Sequence, residues 1–309
     1  MTRPQQQLPG TVYLLTKRMR GRRCFAVPSE IVNATFLYLV ALASARTGVI
    51  VCAYCFLGNH VHLVIWDRFG RRSDFARLLF RWFTVARNDA LGRRGPMWEH
   101  ECAKASPLAD EGAALQKILY TMNQGVGHFL VRDQRSYPGL WSPPEDVGRM
   151  QFVPRPVGAF WDEFKGPKVI PFRLGIPPSL QGWAKSLNAY RELLEDARLA
   201  DEHSLRLRNM ERNRTRRLEG KRPRSYLGVG GILSTTFGHQ PPDDGRPNFE
   251  WIGMAATMAA RRALREARRA FLRWYDATRR KWQRGDKSAT WPPGTYAMVR
   301  FYGGLLDTG

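Results

Sequence analysis

Acidic residues are few in this chain. Its 309 residues carry 27 Asp and Glu against 49 Lys and Arg, a formal net charge of +22. That balance predicts attraction to a polyanion, though it does not say which fold carries the charge. Long apolar runs are missing as well. The longest, Ile31–Ala45 and Val49–Leu57, are interrupted by Asn33, Ser44 and Arg46 and fall short of the roughly 20 residues that cross a bilayer. Met1–Pro9 has no apolar leader core, so a cytoplasmic protein with no membrane partner is expected. The basic segments carry core-type aromatics rather than a lone amphipathic anchor, which favours nucleic acid over a membrane surface. Cysteine is scarce too: Cys24, Cys52, Cys55 and Cys102. Without a secretory leader they predict no disulfide framework. Cys52 and Cys55 fall on opposite faces of a regular strand, and no second C-x-x-C accompanies them, so both read as small core residues.

What is present is a hydrophobic content of 43%, enough for a real core. Gly10–Lys17 reads as a strand, followed by a basic turn. Pro28-Ser29-Glu30 opens a helix to about Ala45. Val49–Phe56 and His60–Trp66 read as a hairpin. Ser73 would cap a second helix, Met97–Ala105 would be a fourth strand, and Leu108–Gln124 a third helix broken by Gly125 and Gly127. The order β-α-β-β-α-β is that of an α+β, ferredoxin-like (split βαβ) antiparallel sheet, with one face left for a ligand or the extra helix. Residues 1–150 are read as the catalytic domain and 151–309 as a Pro-interrupted, mostly helical extension. That extension holds +13 of the +22 charge, with helices expected at Ser179–Glu202 and Met254–Trp282. Its Arg206–Arg224 stretch, nine Lys and Arg against Glu211 and Glu219, reads either as phosphate-binding or as a solvated run.

Two of only six histidines fall in Gly58-Asn59-His60-Val61-His62-Leu63. A strand's period of two sends His60 and His62 to one face, half of a divalent-metal site. On the third helix Tyr120 and Gln124 are four apart and share a face. A tyrosine hydroxyl is a weak nucleophile that needs an activated electrophile. A metal held by His60, His62 and a neutral carbonyl oxygen such as that of Gln124 would polarise a phosphate beside it. Read singly, Tyr120 is an ordinary core-facing tyrosine; read with the strand, it is a nucleophile.

On these residues the chain resembles the HUH single-tyrosine transposases of the insertion-sequence-200-like group, particularly the REP-associated tyrosine transposases. The resemblance covers about residues 8–142. It runs through Leu8-Pro9-Gly10-Thr11-Val12-Tyr13 and Ala53–Ile65, then Gly92-Arg93-Arg94-Gly95-Pro96-Met97-Trp98-Glu99. It ends with Tyr120-Thr121-Met122-Asn123-Gln124-Gly125-Val126 and Tyr137-Pro138-Gly139-Leu140-Trp141-Ser142. It implies His60 and His62 as metal ligands, Gln124 as the third, Tyr120 as nucleophile, and Mg²⁺ or Mn²⁺ as cofactor. It implies cleavage and rejoining of single-stranded DNA with hairpin or repeat elements through a 5′-phosphotyrosine, by a monomer or homodimer acting on bacterial nucleoid DNA. Gln124-Gly125-Val126-Gly127-His128 stands where the family has Asn-Pro-Val-Arg-Ala, so an amide is kept and a proline lost. His128 is open as a substitute ligand, a phosphate contact or a solvated residue; His100 reads as structural. Arg18, Arg20, Arg22, Arg23, Arg71, Arg72, Arg93 and Arg94 are the expected phosphate contacts, while Trp66, Trp82 and Trp98 read first as core. A DNA-binding relative without catalysis and a replication or conjugation nickase are the competing readings. The single candidate tyrosine and the absence of a helicase motif weigh against the nickase.

Overall fold

The computed structural model describes residues 4–241 and 254–307. Four strands form one antiparallel sheet: β1 (Thr11–Arg18), β2 (Ile50–Leu57), β3 (His60–Asp67) and β4 (Lys104–Pro107), in the order β2-β3-β1-β4. Helix α1 (Glu30–Thr47) joins β1 to β2, and α2 (Arg72–Ala90) precedes β4. This is the α+β, split βαβ arrangement. Ser29 caps α1 by accepting from Val32 N at 3.3 Å, and Gly48 ends it in left-handed backbone at φ 72°.

The strand pattern decides which side chains meet which helices. Tyr13, Leu15, Tyr54, Phe56, Leu63 and Ile65 pack with α1 and α2 in one core. Val12, Leu14 and Val64 face the other way, beneath α3 (Glu111–Met122) and the one-turn α4 (Gln124–Gly127). A bulge between Val51 and Ala53 shifts the register of β2. The shift places both Cys52 and Cys55 on the α3–α4 side, not on opposite faces. Among the described residues all four cysteines are free.

Three local expectations are corrected. The cap of α2 is the buried Asp67 carboxylate, which accepts from Arg71 N and Arg72 N at 2.7 and 2.9 Å; Ser73 lies inside the helix and bonds Gln7. The fourth strand is shorter than Met97–Ala105. Met97–Glu99 pairs with Arg18–Arg20, and then the Lys17 ammonium takes the carbonyls of Glu99 and Glu101, which a ladder would otherwise use. The third helix starts later, where Asp110 caps it, and breaks at Asn123 rather than at a glycine.

The chain beyond residue 150 packs on both faces. A hairpin of β5 (Gln151–Pro154) and β6 (Val169–Phe172) flanks the short α5 (Ala159–Glu163). Val153, Trp161, Phe164, Ile170, Phe172 and Leu174 join the α1–α2 core. Leu180, Tyr190 and Leu194 join the core under α3. Ser186 caps α6 (Leu187–Leu218), a 32-residue helix that absorbs most of the Arg206–Arg224 run. The short α7 (Gly228–Leu233) follows, then α8 (Met258–Gln283), which starts at its Thr257 cap, and α9 (Ala297–Tyr302). No helix among the described residues is long and apolar enough to cross a membrane.

Candidate metal centre and cleft

β3 opens with His60 and His62 on the sheet face that α3 and α4 cover. Their rings lie 5.0 Å apart. His60 Nδ1 is 2.6 Å from Asn59 Oδ1, an acceptor, which places the ring proton on Nδ1 and the lone pair on Nε2. His62 pairs in register with Thr16, whose hydroxyl is 3.3 Å from His62 Nδ1. Burial pushes the His62 pKa down to about 3, and positive charge from His128, Arg18 and Lys117 adds to the effect. The imidazole is therefore neutral at pH 7, the form that ligates a metal.

The third member is His128. Its ring lies 5.0 Å from that of His60, and one ligand atom from each of His60, His62 and His128 falls within 4.8 Å of the others. Gln124 reaches the group through its amide. Nε2 donates to Tyr120 O at 2.6 Å, and this turns Oε1 toward His128 Nε2, 3.1 Å away. That spacing suits a hydrogen bond; it also suits adjacent ligands on one small cation, ~3 Å apart for bonds of ~2.1 Å at right angles. Three imidazole rings, with an amide oxygen alongside, form a donor set that fits a divalent transition ion and accommodates Mg²⁺ less well.

Tyr120, half-buried, stands edge-on to His62 with ring centroids 5.3 Å apart. The Lys117 ammonium lies 4.9 Å from the centre of the Tyr120 ring, and burial lowers its pKa against the pull of Asp201. The turn after Tyr120 is fixed from below. Gly125 N donates to Gln134 Oε1 at 2.8 Å, and a Cβ at Gly125 would meet that oxygen at 2.8 Å and Val131 at 3.0 Å. Gly125 thus stands at a position whose N–H is used and whose side-chain space is filled, where a proline would fit neither. Asn123 bonds the Arg198 carbonyl and the Asp201 carboxylate at 3.0 and 2.9 Å. Arg198 itself is fully buried between Glu195 and Glu202, with each ion pair at 2.7 Å.

His60, His62, Tyr120 and His128 open on a cleft of about 610 Å³. Of the eight arginines expected at phosphate, Arg18 and Arg22 line it. Arg20 and Arg23 are exposed on the same turn, and Arg94 is exposed after α2. Arg93 lies 5.0 Å over the Phe25 ring, and Arg71 is 3.9 Å from Asp74. Arg72 is buried: it donates to Gln6 O at 2.8 Å and stacks 4.6 Å over Tyr13, so its charge serves the interior. Trp98 is buried with its Nε1 on Phe80 O, and Trp82 packs on Phe160 and Phe164. His100 is exposed and outside the cleft. His128, left open by the sequence as a ligand, a phosphate contact or a solvated residue, stands beside His60 and His62, four residues past Gln124 and eight past Tyr120. Sequence reasoning missed the Arg198 network and the cleft lining supplied by residues 223–241.

No family model matches the chain, and no curated protein matches it. A solved structure of a REP-associated tyrosine transposase bound to a REP hairpin is similar to 48% of this chain and 87% of its own, at 16% identity and a TM-score of 0.39.

Proposed function

We propose that this protein is a metal-assisted DNA strand transferase, a transposase that cleaves and rejoins single-stranded DNA through Tyr120. The observation that carries the reading is the placement of Tyr120 edge-on to His62, beside three clustered histidines in one open cleft. A phenol attacks a phosphodiester only when the phosphate is held and polarised. His60, His62 and His128 would hold a divalent transition ion such as Mn²⁺, and the bound cation would polarise a phosphate oxygen and offset transition-state charge. Gln124 orients His128 or joins it in the set.

The chain's own residues supply the rest. Tyr120 Oη forms a bond to phosphorus as the bond from phosphorus to the 3′-oxygen breaks. The phenol proton leaves to solvent and the released 3′-oxygen takes one up, leaving a 5′-phosphotyrosine and a 3′-OH. One phosphoester replaces another, so attack by a 3′-OH rejoins strands without ATP. The Lys117 ammonium at the ring favours negative charge building on the attacking side chain. Arg18 and Arg22 give the strand cationic contacts at the cleft.

The test is incubation with hairpin-bearing single-stranded DNA and Mn²⁺, followed by denaturing electrophoresis. Wild type should form a covalent adduct, and Tyr120→Phe should form none while still binding the DNA. An adduct that survives in Tyr120→Phe refutes the assignment. DNA binding with no adduct from the wild type would favour a binding protein without catalysis.

A further inference from the structure

One side of the cleft is built by the extension. Pro223, Arg224, Ser225, Leu227, Thr235 and His239 belong to its lining. This arm is fastened at both ends. Leu227 N and Gly228 N donate to the carbonyls of Phe129 and Leu130 at 2.9 and 2.8 Å, and Tyr226 lies 5.4 Å from the Phe129 ring. At the far end Cys24 N donates to His239 O at 2.8 Å and Gly238 N to Cys24 O at 2.9 Å, with Phe237 5.4 Å from Phe25. Arg224 starts the arm. Asn213 of α6 donates to its carbonyl at 2.7 Å and accepts from its N–H at 2.8 Å. An amide that grips both main-chain groups of one residue fixes that residue as a strand partner would, so the Arg224 side chain springs from a rigid base.

The lining is cationic. Among the described residues it holds Arg18, Arg22 and Arg224 with four histidines, and no carboxylate. Two of its residues also carry strain. Arg22 and Phe129, at φ 57° and 60°, are the two non-glycine residues in left-handed backbone among those described. Such backbone is unfavourable for L-residues and gathers at ligand sites, where the surroundings enforce it. A cleft of about 610 Å³ is large enough to take a nucleotide.

We propose that Arg224, with Arg18 and Arg22, forms a phosphate-binding subsite for the nucleotide next to the one Tyr120 attacks, so that the extension completes the substrate site. The proposal rests on the strand-transferase reading for its substrate, but its test needs no cleavage. Full-length protein in EDTA is titrated with thymidine 3′,5′-bisphosphate by calorimetry. Arg224→Gln should weaken binding at least about tenfold, the scale of one charge-assisted contact. Arg224→Lys should restore part of the loss, and Arg217→Gln, exposed on α6 outside the cleft, should bind as wild type does. Asn213→Ala, which keeps the guanidinium but frees its base, should also weaken binding. With single-stranded DNA, Arg224→Gln should lower the salt slope by about 0.7. Equal affinity in Arg224→Gln, or no binding by wild type at millimolar concentration, overturns the subsite. Loss of bisphosphate binding in Arg224→Gln without any Tyr120 adduct would leave the subsite standing while the strand-transferase reading falls; an adduct with no Arg224 dependence would do the reverse.

Discussion

Helix α6 holds two kinds of arginine. In its first half Arg198 is fully buried, bidentate to Glu195, paired with Glu202, and bonded to Asn123 of the turn after Tyr120. In its second half Arg214 sits 3.9 Å from Glu211, and both side chains are largely exposed. The residue types and the helical spacing are nearly the same, yet the surroundings give them different work. A buried guanidinium surrounded by carboxylates and amides locks one geometry, because any departure strands a charge without solvent. An exposed pair is screened and held loosely, so its arginine is available to a phosphate. The arginines of α6 are therefore part scaffold and part exposed basic surface, and net charge alone cannot divide them.

The largest effect should come from breaking the scaffold half. Arg198→Ala leaves Glu195 and Glu202 facing an empty site and should cost about 3–5 kcal/mol of folding stability, as removal of one partner from a buried pair does. Arg214→Ala should cost less than ~0.5 kcal/mol. Urea unfolding monitored by tryptophan fluorescence measures both. Similar values for the two variants would erase the distinction between the halves.

The next effect concerns what the scaffold holds in place. If the Asn123–Arg198 contact sets the turn that carries Gln124 and His128, then His128→Ala should weaken Mn²⁺ binding by at least about tenfold in a folded protein, the range seen when a ligand or its support is removed. Gln124→Ala separates the two roles of the amide: a loss as large as that of His128→Ala marks it as a ligand, a smaller loss as an orienting group. Unchanged Mn²⁺ affinity in His128→Ala, read by electron paramagnetic resonance, would take His128 out of the centre.

What was legible in advance follows the same division between local and distant. The sheet could be read because the apolar stretches Gly10–Lys17, Val49–Phe56 and His60–Trp66 have strand length, and because Pro28-Ser29-Glu30 opens the helix between the first two. That His60 and His62 share a face follows from the period of two. His128 could not be weighted from sequence, since its approach to His60 depends on the break at Asn123, and that break depends on Arg198, 75 residues later. Cys52 and Cys55 were misplaced because a bulge resets the alternation and leaves no mark in the residue types. The arm that starts at Arg224 is closed at its far end by contact between Cys24 and His239, about 200 residues apart, and only the fold brings such segments together.

A smaller effect than that of Arg198→Ala should lie at the chain's last described segment, where Tyr296 contacts α2. Tyr296 Oη donates to Asp74 Oδ1 at 2.7 Å, and Arg77 bonds the same oxygen at 3.1 Å. Burial alone would raise the Asp74 pKa, but the hydrogen bonds from Tyr296 and Arg77 outweigh it and hold the carboxyl below its ordinary 3.8. The sign follows from proton linkage. Below pH 3.8 the unfolded chain binds the Asp74 proton more readily than the folded one, so the contact's contribution is complete above that pH and is lost as pH falls further. Tyr296→Phe should lower stability by about 0.5–1.5 kcal/mol at pH 6. The difference from wild type should shrink as pH drops from 4 toward 3. A gap between the two proteins that stays constant over that range would show that the tyrosine contributes through packing against Phe301, 5.7 Å from its ring, and not through the carboxylate.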